Sequence, residues 1–215
     1  MNFQPIQGLI RNVNLHFLLI TLSLFVLESC NSQRRQSTLG KSQFQIEMNA
    51  KFKDASTSPL TKKGLRAFKG LDFFPIDNKY KVKATLTKTP DAPIFKFPTT
   101  TSRIARYKKY GVVSFTIDQT IFELDIYQNE IPSDQYNDYL FLPFLDDTNG
   151  KTSYSGGRFI EILTTDEHND GTITIDFNKA YNPYCAYSDR YSCPITPRKN
   201  KLNIAIEAGV MAYKK

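Results

Sequence analysis

From residue 79 onward the chain alternates, and that alternation limits its folds more than anything else in the sequence. Tyr80, Val82, Ala84 and Leu86 are apolar or small, and Lys79, Lys81, Lys83 and Thr85 lie between them. A period of two puts successive side chains on opposite faces, so the segment reads as a half-buried strand with a basic outer face. Val113, Phe115 and Ile117 lead through Asp118-Gln119 to Phe122, Leu124 and Ile126, the pattern of a hairpin. Tyr139 to Leu145 is nearly all apolar and is broken by Pro143, as expected of a buried strand ending at an edge or bulge. Phe159 to Leu163 and Thr172 to Asn178 form another pair across the polar loop Thr164 to Gly171, and Leu202, Ile204 and Ile206 make a last strand. Asn149-Gly150 and Gly156-Gly157 are turn signals. Sixteen Phe and twelve Tyr suit pleated, half-buried surfaces. The expected fold is mainly β, an antiparallel β-sandwich or partly closed barrel. One short helix precedes it. Ser58 caps that helix, Pro59 enters its first turn, Gly70 stops it, and Leu60, Leu65 and Phe68 share a face.

The N-terminal region has a different character. An apolar or small run from Leu15 to Leu27 ends in Leu27-Glu28-Ser29-Cys30, and a polar stretch follows. The run is shorter than the roughly 17–25 residues of a membrane-spanning helix and suits a signal-peptide core. Its ending resembles the lipobox of bacterial lipoproteins, although Glu28 departs from the usual small or apolar residue. The resemblance implies lipidation of Cys30 and removal of the segment before it. Residues 1–29 then read as a lipoprotein signal peptide, 30–43 as a flexible tether, and 44–215 as one β-rich domain. The implied location is the cell envelope, on the outer or inner membrane and facing the periplasm. The membrane is the expected partner, through the lipid anchor. In such an oxidising compartment Cys185 and Cys193, eight residues apart, are expected to pair as a disulfide.

Charge is segregated along the chain. Residues 51–110 carry 15 Lys and Arg against 4 Asp and Glu, and residues 111–189 carry 3 against 14. The opposed halves are expected to pack side by side, with the surplus of the +7 chain facing anionic headgroups. No nucleic-acid partner is expected of an exported chain.

Several chemistries are excluded by what is missing. Apart from His16 in the leader, His168 is the one histidine, which rules out a multi-His zinc site. His168 lies in Asp166-Glu167-His168-Asn169-Asp170-Gly171, a hairpin tip that lacks the closing Glu of a calcium loop. No Gly-rich phosphate cradle precedes a helix, so no cofactor is expected. What remains is a polar cluster. Asp176 and Asn178 lie on the polar face of their strand, Tyr181 and Asn182 follow in the next loop, and Arg158 opens the neighbouring strand. These five residues can bind a small polar ligand, or Arg158 and Asp176 can pair while the amides satisfy backbone groups. Asp176 or Asp146 as the acid or base of a hydrolase is the alternative.

The segments Phe68–Pro75, Lys109-Tyr110-Gly111, Phe141-Leu142-Pro143-Phe144, Gly156-Gly157-Arg158-Phe159 and Asp176 to Tyr187, with Cys193-Pro194, Asn200, Leu202 and Ala208-Gly209, resemble the family called domain of unknown function 1684. The likeness covers about residues 50 to 210. It implies an exported lipoprotein of Bacteroidetes-like bacteria, in agreement with Cys30, and carries no established activity. Where the family usually has Gly followed by Glu near the end, this chain has Gly209-Val210. The expected function is a noncatalytic binding or structural domain of the envelope.

Overall fold

A computed structural model describes residues 41–131 and 137–214, so the leader and Cys30 lie outside the described residues. Helix α1 (Gln43–Lys53) comes first, and sequence analysis had placed no element there. The Ser42 side chain accepts the Gln45 amide, which caps the helix. Phe44, Met48 and Phe52, spaced by four, share the face that packs on Leu60, Leu71, Phe73, Tyr187 and Val210. Helix α2 (Lys62–Ala67) is the expected short helix, but its cap is Thr61, which accepts the Gly64 amide. Ser58 instead accepts the Leu60 amide, one turn earlier.

Seven strands form a single sheet: β1 (Lys81–Lys88), β2 (Ile94–Pro98), β3 (Ile104–Ile117), β4 (Thr120–Asn129), β5 (Tyr139–Phe144), β6 (Arg158–Leu163) and β7 (Thr172–Asp176). Their order is β6-β5-β4-β3-β1-β7, with β2 also on β3, and every pairing is antiparallel. The long strand β3 receives β1 at Gly111–Ser114 and β2 at Ile104–Lys108 on the edge opposite β4. β1 and β2 are therefore collinear, two pieces of one interrupted strand. A bulge between Lys109 and Gly111 reverses the inward parity of β3 midway. A Cβ on Gly111 would come 2.6 Å from the Thr87 carbonyl oxygen, so this tight approach of β1 needs glycine. The β3–β4 hairpin turns on Asp118 and Gln119 with φ of 48° and 65°, the left-handed pair that a two-residue loop demands.

The two edges of the sheet meet at one end. β7 pairs with β1, and just beyond it Tyr181 exchanges both backbone hydrogen bonds with Phe159 of β6, at 2.9 Å each. That seam curls the sheet into the expected mainly β, partly closed barrel. Val82, Ala84, Val113, Phe115, Leu124, Ile126, Leu142, Phe144, Ile160, Ile173 and Phe177 fill its interior. Across the sheet a second aromatic cluster joins Phe97, Tyr107, Tyr127 and Phe141.

The strand expected at Leu202–Ile206 is not a strand. One parallel bridge, Leu145 to Lys201, forms there, and the Leu202 amide bonds the Leu145 carbonyl at 2.8 Å. Leu202 and Ile206 are nevertheless buried in the core, so the alternation recorded burial without strand pairing. Beside it Asn200 fits between β4 and β5. Its side chain accepts the Asp125 amide and donates to the Asp125 and Pro143 carbonyls at 2.8 and 2.7 Å. Five of the seven ion pairs among the described residues join a cation of residues 51–110 to an acid of residues 111–189, so the opposed halves do pack together.

Candidate functional site

Arg158 opens β6 on the inward face, where alternation with Ile160 and Ile162 carries it into the barrel end. Gly157 makes this possible: it has φ of 90°, and a Cβ there would meet the Phe144 carbonyl oxygen at 2.7 Å. The guanidinium is wholly buried and lies over the rings of Phe74 and Phe144. Its ionic partner is Asp146, at 2.7 Å with both side chains inaccessible, and not Asp176 as expected. Arg158 also donates to the carbonyls of Ala208 and Ile206, the latter at 2.7 Å. Burial pulls the guanidinium below its ordinary range and Asp146 opposes that shift. Asp146 accepts the amide of Thr148 at 2.6 Å and its hydroxyl as well, so neither carboxylate oxygen is free for acid–base chemistry. Three chain segments thus converge on one buried cation.

The other four expected site residues are held in separate arrangements. Asp176 accepts both the amide and the side-chain amide of Asn178, at 3.0 and 2.9 Å. Asn178 in turn bridges to the backbone of Asp77. The Tyr181 hydroxyl donates to Glu161 at 2.7 Å, and burial followed by the nearby Glu161 charge pushes the phenol well above its usual range. Asn182 is fully buried and donates to the Tyr187 hydroxyl and the Met211 carbonyl, while its Oδ1 has no partner. Two surface grooves, one over Lys79, Lys81 and Lys83 and one beside Asp146, Asp147, Lys151 and Lys201, are lined by none of Arg158, Asp176, Asn178, Tyr181 and Asn182. No cluster of three or more His, Cys, Asp or Glu among the described residues is placed to hold a metal ion.

Cys185 and Cys193 are brought together as free thiols in place of the expected disulfide. The Cys185 amide donates to Cys193 Sγ at 3.2 Å, and the Tyr154 hydroxyl lies 3.8 Å from Cys185 Sγ. Cys185 sits in a tight turn, Tyr184–Ala186, and is half-buried. Cys193 is buried and fixed to the edge of β2, where Thr100 donates its amide to the Cys193 carbonyl. The hydrogen bond with Cys193, joined by those of Tyr154 and Thr100, lowers the Cys185 thiol to about 6. The same contact pushes Cys193 up. Sequence analysis missed Tyr154; its spacing from the cysteines carries no signal, because only folding brings residue 154 beside 185.

On the sheet's inward side beyond the β3 bulge lies a face that the core does not reach. Ile94 faces Lys108, Lys96 faces Arg106 and Pro98 faces Ile104, so all six side chains share one surface, and all six are exposed. Arg106 pairs with Glu130; no ion pair engages Lys96 or Lys108 among the described residues.

A family model described as a protein of unknown function, DUF1684, matches residues 66–211. No curated protein matches the chain. Among solved structures, the solution NMR structure of an uncharacterized protein of Haloarcula marismortui is 30% identical, with a TM-score of 0.63, and the match covers 94% of this chain and 97% of that one.

Proposed function

This chain belongs to the DUF1684 family, and from that premise we propose that it is a noncatalytic, lipid-anchored domain of the cell envelope that rests on an anionic bilayer through its β2–β3 face. The carrying observation is that face: Ile94 and Ile104 framed by Lys96, Arg106 and Lys108, with one carboxylate, Glu130, against three cations. Each cation near an anionic surface contributes about 1 kcal/mol, and the two isoleucines add apolar contact. The anchor is Cys30, acylated after removal of the leader that precedes it. The tether from Cys30 to Ser42 extends at most about 40 Å, at about 3.3–3.6 Å per residue, so the domain stays close to the headgroups, on the periplasmic side.

The fate of the polar cluster supports a structural role for it. Arg158, Asp176, Asn178, Tyr181 and Asn182 all bond to partners within the chain and converge on no shared cleft, which leaves a small polar ligand or hydrolytic acid–base chemistry at Asp176 or Asp146 without support.

Labelled palmitate fed to cells should enter the full chain and be absent from Cys30→Ser; equal incorporation refutes the anchor. Vesicles containing phosphatidylglycerol should pellet the Cys30→Ser chain more strongly than pure phosphatidylcholine, and added salt should weaken that binding. Lys96→Glu with Lys108→Glu should erase the preference. No preference in the parent chain refutes the docking face.

A further inference from the structure

We propose that Cys185 and Cys193 form a thiol–disulfide exchange site, in which Cys185 attacks and Cys193 resolves. This goes beyond the envelope reading and does not depend on the lipid anchor.

Cys193 Sγ lies 3.2 Å from the Cys185 amide, and the two backbones are held independently. Cys185 is fixed by the turn in which the Ala186 amide bonds the Pro183 carbonyl at 2.9 Å. Cys193 is fixed by the β2 edge, through its carbonyl and through its amide on the Thr100 hydroxyl at 3.1 Å. The 3.2 Å contact of the Cys185 amide with Cys193 Sγ keeps the resolving thiol beside the attacking residue. Accessibility separates their roles: Cys185 is half-buried, whereas Cys193 is 8% exposed. An incoming disulfide reaches Cys185 first. The neighbouring Tyr154 hydroxyl, 3.8 Å away, is a donor for a thiolate there. The lowered Cys185 thiol and raised Cys193 thiol accord with this division.

In the first step the Cys185 thiolate attacks one sulfur of a small-molecule or protein disulfide and expels its partner as a thiolate. The expelled thiolate takes the proton of Cys193. The Cys193 thiolate then attacks Cys185 Sγ and expels the second thiolate. Two thiols of this chain are oxidised, one disulfide is reduced to a thiol and a thiolate, and charge and protons balance.

The test uses the full chain carrying Cys30→Ser, so that only the two thiols of interest remain. Oxidised glutathione at pH 7 should convert it to a species lighter by two hydrogens and release reduced glutathione. Cys193→Ser should stop at a mixed disulfide mapped to Cys185, and Cys185→Ser should remain unmodified. In the reduced parent, iodoacetamide at pH 7 should label Cys185 at least about tenfold faster than Cys193. Tyr154→Phe should slow that labelling while leaving the melting temperature unchanged, which reads the thiol environment even if a cysteine variant folds poorly. Faster labelling of Cys193, no labelling of either without denaturant, or a bond that resists millimolar dithiol in the folded chain would each overturn the assignment.

Discussion

Replacing Asp146 by Asn isolates the charge of the buried ion pair, because the amide keeps nearly the same shape. Asn Oδ1 still accepts from Thr148, but the anionic oxygen facing Arg158 at 2.7 Å is lost. Arg158 then remains inaccessible and uncompensated, with its Nε already without a partner. Breaking a buried pair this way costs about 3–5 kcal/mol. The carbonyls of Ala208 and Ile206 and the rings of Phe74 and Phe144 still solvate the cation, which places the expected loss near the lower end, about 3 kcal/mol. For a domain of this size about 2–4 °C of melting temperature corresponds to each kcal/mol, so calorimetry should show a fall of about 6–12 °C. The second arm is Arg158→Met added to Asp146→Asn. It removes the orphaned charge, and the double variant should melt above Asp146→Asn alone, a coupling that additive effects cannot produce. A loss under about 1 kcal/mol, or a double variant that simply sums the two single ones, refutes the claim that ionic pairing holds this end of the barrel together.

Two further predictions concern Glu167 and Phe52. Burial raises Glu167, but hydrogen bonds from Lys88, 2.7 Å away, and from Tyr110 outweigh it and hold the carboxyl below its ordinary range. Its contribution is complete above the unfolded value of about 4.3 and disappears as pH falls through the lower folded value, so Glu167→Gln should flatten the acid limb of a melting-temperature profile below about pH 4. An unchanged limb counts against it. Phe52 of α1 is 0% exposed and meets Tyr187 edge-on at 4.7 Å, so Phe52→Ala should cost about 3–5 kcal/mol in urea titrations. A cost below about 1 kcal/mol would mean that the helix is only loosely docked.

The strands that were legible in the sequence are those with one wet and one dry face, together with the nearly all-apolar β5. β1, the β3–β4 hairpin, β5, β6 and β7 all show their period or their turn. β2 was illegible because Pro93 and Pro98 bracket it and only Phe97 of its five residues is buried. The first half of β3 was hidden by the bulge at Tyr110, which breaks the period where the strand changes parity. α1 carried a readable signal in Ser42 and in Phe44, Met48 and Phe52, but its overall polarity resembled a tether. Arg158 was read beside Asp176, whereas its ionic partner is Asp146. Asp146 and Asp176 are equally plausible by type, and only the path of the loop after β5 decides between them. The inward orientation of Asn182 was equally unreadable, since nothing in an Asn-Pro dipeptide says which carbonyl it will meet.

The collinear arrangement of β1 and β2 has a consequence for biogenesis. The second edge of β1 is covered by β7 alone, whose first residue is Thr172, and Lys81 finds its partner only at Asp176. A nascent or truncated chain lacking that late segment leaves a row of amides and carbonyls open to intermolecular pairing. Contacts spanning so much sequence also form slowly. The early strands therefore keep an open edge until the segment from Thr172 onward joins the sheet.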